Sequence, residues 1–514
     1  MKRKLPLGIQ TFREIREDGC YYVDKTGYAK RLVDAGKHYF LSRPRRFGKS
    51  LFVDTLKELF EGNEPLFRGL AIHNHWDWSV RHPVIRLDFG GGSYRTLDGV
   101  CSRLAVQFDA IESAAGIRPR YQTLPERFTD LIRALHEAAG QRVVVLVDEY
   151  DKPILDVLRD PDTAEKNRDF LRGFYGTVKS ADNHVAFSFF TGVSKFTKVS
   201  LFSELNNLTD ITLDPRFGNI CGYTEPDLDA VFAPELEGLD RERVREWYNG
   251  YHWLGEGRVY NPYGILLLFS TRRFRAHWFE TGSPAFVIET LRERRVFTPS
   301  LDGRLSTSEL LSKFDVRRMS TEALLFQVGY LTVLREEEVG GEARYRLGYP
   351  NREVRQSLHR NLLEELTPPE TAPQATSDRL REALAAHDLA GIETLLRSFF
   401  DAIPYEWHTR NEIARFEGYY ASIAYSHLAA AGVEVVVEDS SNRGRADLAV
   451  RFAGRVYLFE FKVVEAASSG GALAQLRERD YAAKYRSSGE PIHLIGIEFS
   501  PRTRNIVAFE TASG

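Results

Sequence analysis

The sequence predicts an α/β protein made of two separate units with a less regular stretch between them. Three observations predict it. In the first half, short apolar runs alternate with amphipathic helix patterns, as in a parallel sheet covered on both faces. After Thr367–Ser377, a Pro-, Thr- and Ala-rich stretch without periodicity, a second order appears: helix, three strands, helix, strand. The composition is that of an ordinary globular chain, 514 residues with 43% hydrophobic and 27% charged, which bounds two to four domains.

The elements follow in order. His38–Leu41 is a short apolar run that leads into a basic loop. Leu51–Phe60 then reads as a helix, with Leu51, Phe52, Leu56, Leu59 and Phe60 at helical spacing. Pro83–Phe89 reads as a strand and Gln122–Ala139 as an amphipathic helix. Val143–Val147 and Val185–Phe190 are apolar, β-branched or aromatic runs suited to strands buried on both faces. In the middle, Ser306–Val316 and Thr321–Val328 read as helices. Tyr330–Arg335 and Ala343–Leu347 read as a strand pair around the polar turn Glu336–Glu342, which suggests a small winged-helix-like lid. Beyond the linker, Asp378–Phe400 and Glu412–Ala431 read as helices. Val433–Val437, Asp447–Phe452 and Val456–Phe461 read as strands, Leu473–Tyr485 as a helix and Ile492–Phe499 as a last strand. The expected domains are 1–225, 226–366 and 378–514, with 367–377 as linker.

The net charge of -3 excludes a polycationic chain, so any nucleic-acid surface must be local. Cys20, Cys101 and Cys221 are an odd, widely spaced set without CxxC spacing, which suggests neither a disulfide framework nor a cysteine zinc site. A reducing, cytoplasmic location is the expectation. The start MKRKLPLGIQTF is basic but lacks the apolar run of a secretory signal, and stretches such as Gly264–Ser270 are too short to span a bilayer. No membrane partner is expected.

Ser42-Arg43-Pro44-Arg45-Arg46-Phe47-Gly48-Lys49-Ser50 follows a strand and opens a helix. In a P-loop, backbone N–H groups and the helix N-terminus cradle phosphates, the lysine neutralises their oxygens and the hydroxyl binds Mg²⁺. Gly48, Lys49 and Ser50 hold those last positions, while Arg43 stands where GxxxxGK[ST] begins with glycine. Arg43, Arg45 and Arg46 either add positive charge or point elsewhere. The apolar run ending in Asp148-Glu149 supplies the other half: an aspartate for Mg²⁺ and a glutamate for the attacking water. Thr191, with Ser194 nearby, ends a third strand and either senses the γ-phosphate or fills a turn. Arg216 is more plainly a surface arginine than a phosphate ligand.

The second constellation is Gly444-Arg445-Ala446-Asp447 with Glu460-Phe461-Lys462. Period two puts Glu460 and Lys462 on one face of their strand, and a hairpin at Ala453-Gly454 would bring Asp447 beside Glu460. Two carboxylates and the Phe461 carbonyl are hard oxygen ligands suited to Mg²⁺ or Mn²⁺, and Lys462 could orient a water or neutralise a phosphodiester transition state. Glu417 on the preceding helix could add a third acid. Gln475, with Tyr481 further on, could steady the site. Ser440–Ser488 holds nine Lys/Arg against five Asp/Glu, an excess that suits a phosphate backbone. A solvated strand face with Glu460 and Lys462 paired on it is the plainer alternative.

The chain resembles the bacterial family that joins an AAA-ATPase-like domain to a PD-(D/E)XK nuclease-like domain. The blocks that carry the resemblance are GIQTFREIREDGCYYVDKT, LSRPRRFGKSL and VVLVDEYDKPI, then WYNGYHW, YNPYGILL, LLFQVGYLT and YPNREV, then GRADLAV, FEFKV and ALAQLRERDYAAKY. The resemblance implies a P-loop NTPase-type parallel sheet with helices on both faces, a small winged-helix-like middle and a C-terminal α/β restriction-endonuclease-like domain. It implies that Lys49 and Ser50 bind nucleotide phosphates and Mg²⁺, and that Asp148 and Glu149 form the Walker B pair. Asp447, Glu460 and Lys462 would be the nuclease residues, with Glu417 as the helix acid and Gln475 as an accessory. The family's phosphate loop often begins with arginine-rich sequence, as here.

The expected nucleotide set is therefore Arg43, Arg45, Arg46, Phe47, Gly48, Lys49, Ser50, Leu51, Asp148 and Thr191. The expected metal ligands are Asp447, Glu460, Phe461, Ser50 and Asp148. The expected activity is an ATP-regulated, Mg²⁺-dependent (or Mn²⁺-dependent) nuclease with DNA as the favoured partner. AAA-type ATPases often form rings, so a homo-oligomer is left open. The rivals are an ATP-dependent switch that holds nucleic acid without cutting it, and an ATPase whose rear fold makes protein contacts.

Overall fold

A computed structural model describes the chain outside residues 1, 196–200, 203–204, 206, 278–284, 295, 297, 308–310, 312–319, 368–372, 404–416, 442–443, 466–469 and 504. Side chains are described outside those and 285–286, 292–293, 366, 417–419, 438–441 and 444–445. The chain divides into two compact units. One comprises Met1–His277 and Leu305–Asn351, the other Trp278–Arg304 and Arg352–Gly514. Residues 226–366 fall partly in each unit.

In the first unit, β1 (His38–Ser42), β2 (Val84–Asp88), β3 (Val143–Asp148), β4 (Val185–Gly192) and the short β5 (Thr209–Asp210) form one sheet. Its order is β2-β3-β4-β1-β5 and every pair is parallel. All six residues of β3 and all five of β1 are buried, as expected for central strands covered on both faces. Helix Lys49–Phe60 packs on β3 and β4. Helices Leu97–Ala115, Leu124–Ala139 and Pro161–Ser180 pack together through Phe108, Phe128 and Phe174, whose rings stack with centroids 5.5 and 4.9 Å apart for the first and last pairs.

A three-stranded sheet, β6 (Arg304–Thr307), β7 (Thr332–Val339) and β8 (Glu342–Gly348), has the order β6-β8-β7, with helix Thr321–Gln327 between β6 and β7 in the chain; from Leu305 on it belongs to the same unit. Two expectations are corrected here. Ser306 and Thr307 end a strand rather than start a helix, and 308–310 and 312–319 lie outside the described residues. The polar stretch Glu336–Glu342 is mostly strand. Glu337 pairs along its own strand with Arg335 and across the hairpin with Arg346, so a polar run sits comfortably on an exposed ribbon. The turn itself is Gly340-Gly341, both left-handed at φ 64 and 81, which suits the tight twist of a two-residue hairpin.

In the second unit, β9 (Val435–Ser441), β10 (Gly444–Phe452), β11 (Arg455–Val463), β12 (Ile492–Ser500) and β13 (Asn505–Ser513) form a sheet in the order β13-β12-β11-β10-β9. Only β11 and β12 are parallel. Ala453 and Gly454, with φ 50 and 71, make the expected tight turn between β10 and β11. Phe459, Phe461, Ile495 and Ile497 face a helical layer that includes Leu396, Phe399, Phe400 and Tyr420. Val456, Leu458 and Leu494 face the opposite way, against Leu473 and Leu476.

Three further expectations change. The helix expected over Asp378–Phe400 is two helices, Pro373–Ala386 and Leu389–Ala402. His387 is left-handed at φ 59, and Asp388 restarts the helix by accepting the Gly391 N–H at 2.8 Å. The first of these helices begins inside the expected linker, where Pro373 is well placed at a first helical position. Helix Gly471–Glu478 stops where Asp480 turns left-handed (φ 46), and a separate 3₁₀ turn covers Tyr481–Lys484. β13 escaped the sequence reading because it is an edge strand of mostly half-buried residues.

Candidate functional sites

In the first unit the topology does the assembling. β4 separates β1 from β3, so the loop after β1 and the acids after β3 leave the same edge of the sheet, about 10 Å apart at strand spacing. Arg46 (φ 67) and Gly48 (φ 91) turn the chain into helix Lys49–Phe60. Lys49 stands at the first helical position. Lys49 is 7% exposed, and its Nζ donates to the Arg43 and Pro44 carbonyls, both at 2.9 Å. Burial lowers its pKa, opposed by Asp148, Glu149 and Asp151. Asp148 is 2% exposed and its carboxyl is raised by burial, opposed by a Ser50 hydroxyl hydrogen bond and by Lys49. Lys49, Ser50 and Asp148 are therefore one group in space. Glu149 is left-handed (φ 51), its N–H held by Asp148 Oδ1 at 3.0 Å, and burial raises its carboxyl as well.

The other expected nucleotide residues divide. Arg45 and Arg46 are exposed on the loop, with the Arg46 guanidinium 4.7 Å above the Tyr263 ring. Arg43 points the opposite way. It is fully buried, donates to the carbonyls of Ser42, Thr212, Phe217 and Gly218, and lies 4.3 Å over the Trp253 ring. Burial lowers its pKa to about 10. Arg43 is a brace rather than added charge on the loop, because loop carbonyls facing inward need a donor. Phe47 is likewise an anchor, its ring against Tyr251 and Trp253 at 4.7 and 5.1 Å. Leu51 is half-buried in the first helical turn. The Thr191 hydroxyl donates to Leu41 O at 2.9 Å, tying β4 to β1. Ser194 is held by Asp151, and Arg216 is an exposed arginine paired with Asp214.

Sequence reasoning missed four residues of this site. Asp151 accepts the Val193 and Ser194 N–H groups, at 3.1 and 2.6 Å, and so fixes the end of β4 to the end of β3. Gly192 permits that approach, since a Cβ there would sit 2.3 Å from Asp151 Oδ1. Tyr251 and Trp253 belong to the aromatic WYNGYHW block, whose crowding was the available signal.

In the second unit the antiparallel register pairs Leu448 with Phe459, and Asp447 and Glu460 are the residues next to that pair on their strands. Asp447 Oδ2 accepts the Phe461 N–H at 2.8 Å, which fixes the aspartate against the strand. Parallel strands need a crossover, and helix Gly471–Glu478 lies between β11 and β12 in the chain. It covers the face that carries Glu460 and Lys462. Gly496 lets it close in, because a Cβ there would meet Leu473 N at 2.4 Å. The result is a hydrogen bond from Gln475 Nε2 to Glu460 Oε1, and one from Lys462 Nζ to Gly471 O at 2.9 Å. Glu460, Lys462 and Gln475 thus meet where this helix begins, and Asp447 is tied to the backbone next to Glu460. Glu417 opens helix Glu417–Ala430, and its side chain lies outside the described residues. Tyr481 is buried in the apolar cluster under this face.

Two carboxylates next to a main-chain carbonyl are the hard-oxygen set that a small divalent cation prefers, so the residues fit such an ion. Among the described residues no three His, Cys, Asp or Glu side chains are grouped to hold a metal ion, and the side chain of Glu417 lies outside those residues. No helix among them is long and apolar enough to cross a membrane.

Comparison with known proteins follows the same division. Residues 6–202 match the family described as "Predicted AAA-ATPase", and residues 415–509 match the PD-(D/E)XK nuclease superfamily. The chain is also 55% identical over 513 residues to a protein of Azotobacter chroococcum mcd 1 described as "Uncharacterized protein in vnfD 5'region", an alignment that takes in 100% of this chain and 99% of that one.

Proposed function

The chain belongs to the family that joins an AAA-ATPase-like domain to a PD-(D/E)XK nuclease superfamily domain, and from that premise we propose that it is an ATP-binding, ATP-regulated, Mg²⁺-dependent nuclease acting on DNA. The observation that carries the reading is that Glu460 and Lys462 both meet helix Gly471–Glu478 on the covered face of the sheet, while Asp447 accepts the Phe461 N–H next to Glu460. A divalent cation held by these carboxylates and the Phe461 carbonyl would supply a Lewis acid and an activated water. The chain's own part is to hold the acids. The Phe461 N–H steadies Asp447 and the Gln475 amide steadies Glu460. Lys462, exchanging Gly471 O for a phosphate oxygen, would neutralise developing charge.

At the front site, the loop N–H groups of Gly48–Ser50 would take the phosphates, and Lys49 would exchange its two carbonyls for phosphate oxygens. Asp148 and Ser50 would hold Mg²⁺, and Glu149 would orient water. The path for regulation starts at Phe47. Tyr251 and Trp253 grip its ring, the Tyr251 hydroxyl donates to Gly329 O at 3.0 Å, and the intervening His252 N–H donates to Thr332 Oγ1 at 2.8 Å on β7. A nucleotide that prefers one loop position would shift this hairpin. A cytoplasmic location fits the unpaired cysteines.

A second reading, nucleic-acid binding without cleavage, draws on one observation: Lys462 is engaged by Gly471 O rather than by a carboxylate of the pair. One experiment separates them. Linear, circular and single-stranded DNA and RNA are incubated with and without ATP and Mg²⁺, using wild type, Lys49→Ala and Glu460→Ala. Cleavage that needs Mg²⁺ and Glu460 and responds to ATP only when Lys49 is present supports the nuclease. Binding without cleavage by wild type favours the switch.

A further inference from the structure

We infer that Glu498, a residue outside the expected nuclease set, is a positioning residue of the rear site: it anchors the crossover helix so that Gln475 meets Glu460 and Gly471 meets Lys462. The inference rests on the metal-site reading proposed above. Glu498 lies on β12 directly beside Lys462 in the parallel register. It is 1% exposed, an expensive place for a carboxylate unless its oxygens are used. Its Oε1 accepts the N–H groups of Gly471 and Ala472, at 2.6 and 3.4 Å, the first two residues of helix Gly471–Glu478. Those N–H groups have no partner within the helix, and an acid at that end also complements the helix dipole.

The neighbouring lysine takes the other pole of the same residue. Lys462 Nζ donates to Gly471 O at 2.9 Å while Glu498 accepts from Gly471 N at 2.6 Å. Two adjacent strands therefore clamp the first residue of the helix through opposite charges. The clamp is needed because the helix is short, eight residues, and follows Gly470 in a left-handed turn (φ 64). One turn further along, the same helix delivers Gln475 to Glu460. A helix free to slide would carry Gln475 off the carboxylate. The role assigned to Glu498 is exerted through this helix.

The test is Mn²⁺ titration of the full-length chain by calorimetry, which needs no cleavage. Wild type is compared with Glu460→Ala, Gln475→Ala, Glu498→Ala, Glu498→Gln and the Glu498→Ala/Gln475→Ala double variant. Glu460→Ala should abolish the rear-site binding and leave any at Ser50 and Asp148 unchanged. Glu498→Ala and Gln475→Ala should each weaken it roughly 10–100-fold, the range for residues that orient a metal ligand, and the double variant should be no weaker than the worse single one. Glu498→Gln should stay within about threefold of wild type, because an amide oxygen still accepts the Gly471 N–H. Additive losses in the double variant would mean general loosening and would overturn the positioning role. Glu498→Gln as weak as Glu498→Ala would do the same, since charge rather than helix anchoring would then be at work. Wild-type affinity in Glu498→Ala with Glu460→Ala still defective overturns the role of Glu498 and leaves the metal site standing. No binding by wild type overturns the metal site and the Glu498 role together.

Discussion

The two sites use the same residue types, a lysine and a pair of acids, yet they are held in place by different means. At the front, Lys49 and Ser50 are neighbours in one loop, and the loop is braced from beneath by its own residues, Arg43 and Phe47. At the rear, Asp447, Glu460 and Gln475 come from two strands and a helix, and each contact crosses between elements. The first arrangement is local geometry on a rigid base. The second is tertiary packing. The front site should therefore fail when its base is cut, and the rear site when its layers are loosened.

The largest effect is expected beneath the front loop. Phe47→Ala removes a buried ring gripped by Tyr251 and Trp253, and large-to-small core changes of this kind cost about 3–5 kcal/mol. Arg43→Met should cost a comparable amount, on the order of 3 kcal/mol or more, because the carbonyls of Thr212, Phe217 and Gly218 lose their donor. Hydrogen exchange followed by mass spectrometry reads each unit separately, which a single melting temperature does not. Both variants should raise exchange in peptides of residues 1–277 and leave the β9–β13 sheet unchanged. Equal loosening of both units would break the comparison.

Next comes the front lysine itself. Lys49→Ala should weaken nucleotide binding by roughly 100-fold, about 2.7 kcal/mol, since a buried ammonium facing phosphates is a strong charge-assisted donor. Fluorescent-nucleotide titration checks it. Mn²⁺ affinity at the rear should not move in this variant.

How much of this was legible follows the same division. The loop, the acid pair and the ExK strand are contiguous in the chain, so Lys49, Asp148, Asp447, Glu460 and Lys462 could be read from spacing and strand context. The turn at Ala453-Gly454 that joins the two strands was also readable from the sequence. What did not follow is direction. Nothing in SRPRRFGKS tells that Arg43 turns inward to Trp253 while Arg45 stays outside. Asp151 and Glu498 look like ordinary polar residues after or within a strand, and only the fold shows that each ties two elements together. The break at His387-Asp388 was hidden because apolar spacing continues across it on both sides.

The smallest effect sharpens the comparison through pH. His359 and His427 are fully buried in the helical layer of the second unit, beside Ser426 and Ser377. Burial pushes both down to about 3, with Arg355 adding to the effect on His359. Both rings are thus neutral in the fold, whereas unfolded histidine takes a proton near pH 6.5. Their stabilisation is complete above about pH 6.5 and falls as the pH drops towards about 3, because the unfolded chain then binds protons that the folded chain refuses. Each should remove about 1.4 kcal/mol per pH unit in that window. The first unit has His38, also lowered by burial, but there the Asp182 hydrogen bond opposes the shift. Between pH 7 and pH 5.5, hydrogen exchange should therefore rise more in the helices 352–366 and 417–430 than in the β1–β5 sheet. His427→Leu should roughly halve that pH slope, as one of two equivalent groups is gone. An unchanged slope, or loss that begins in the first unit, would show that the acid-sensitive layer lies elsewhere.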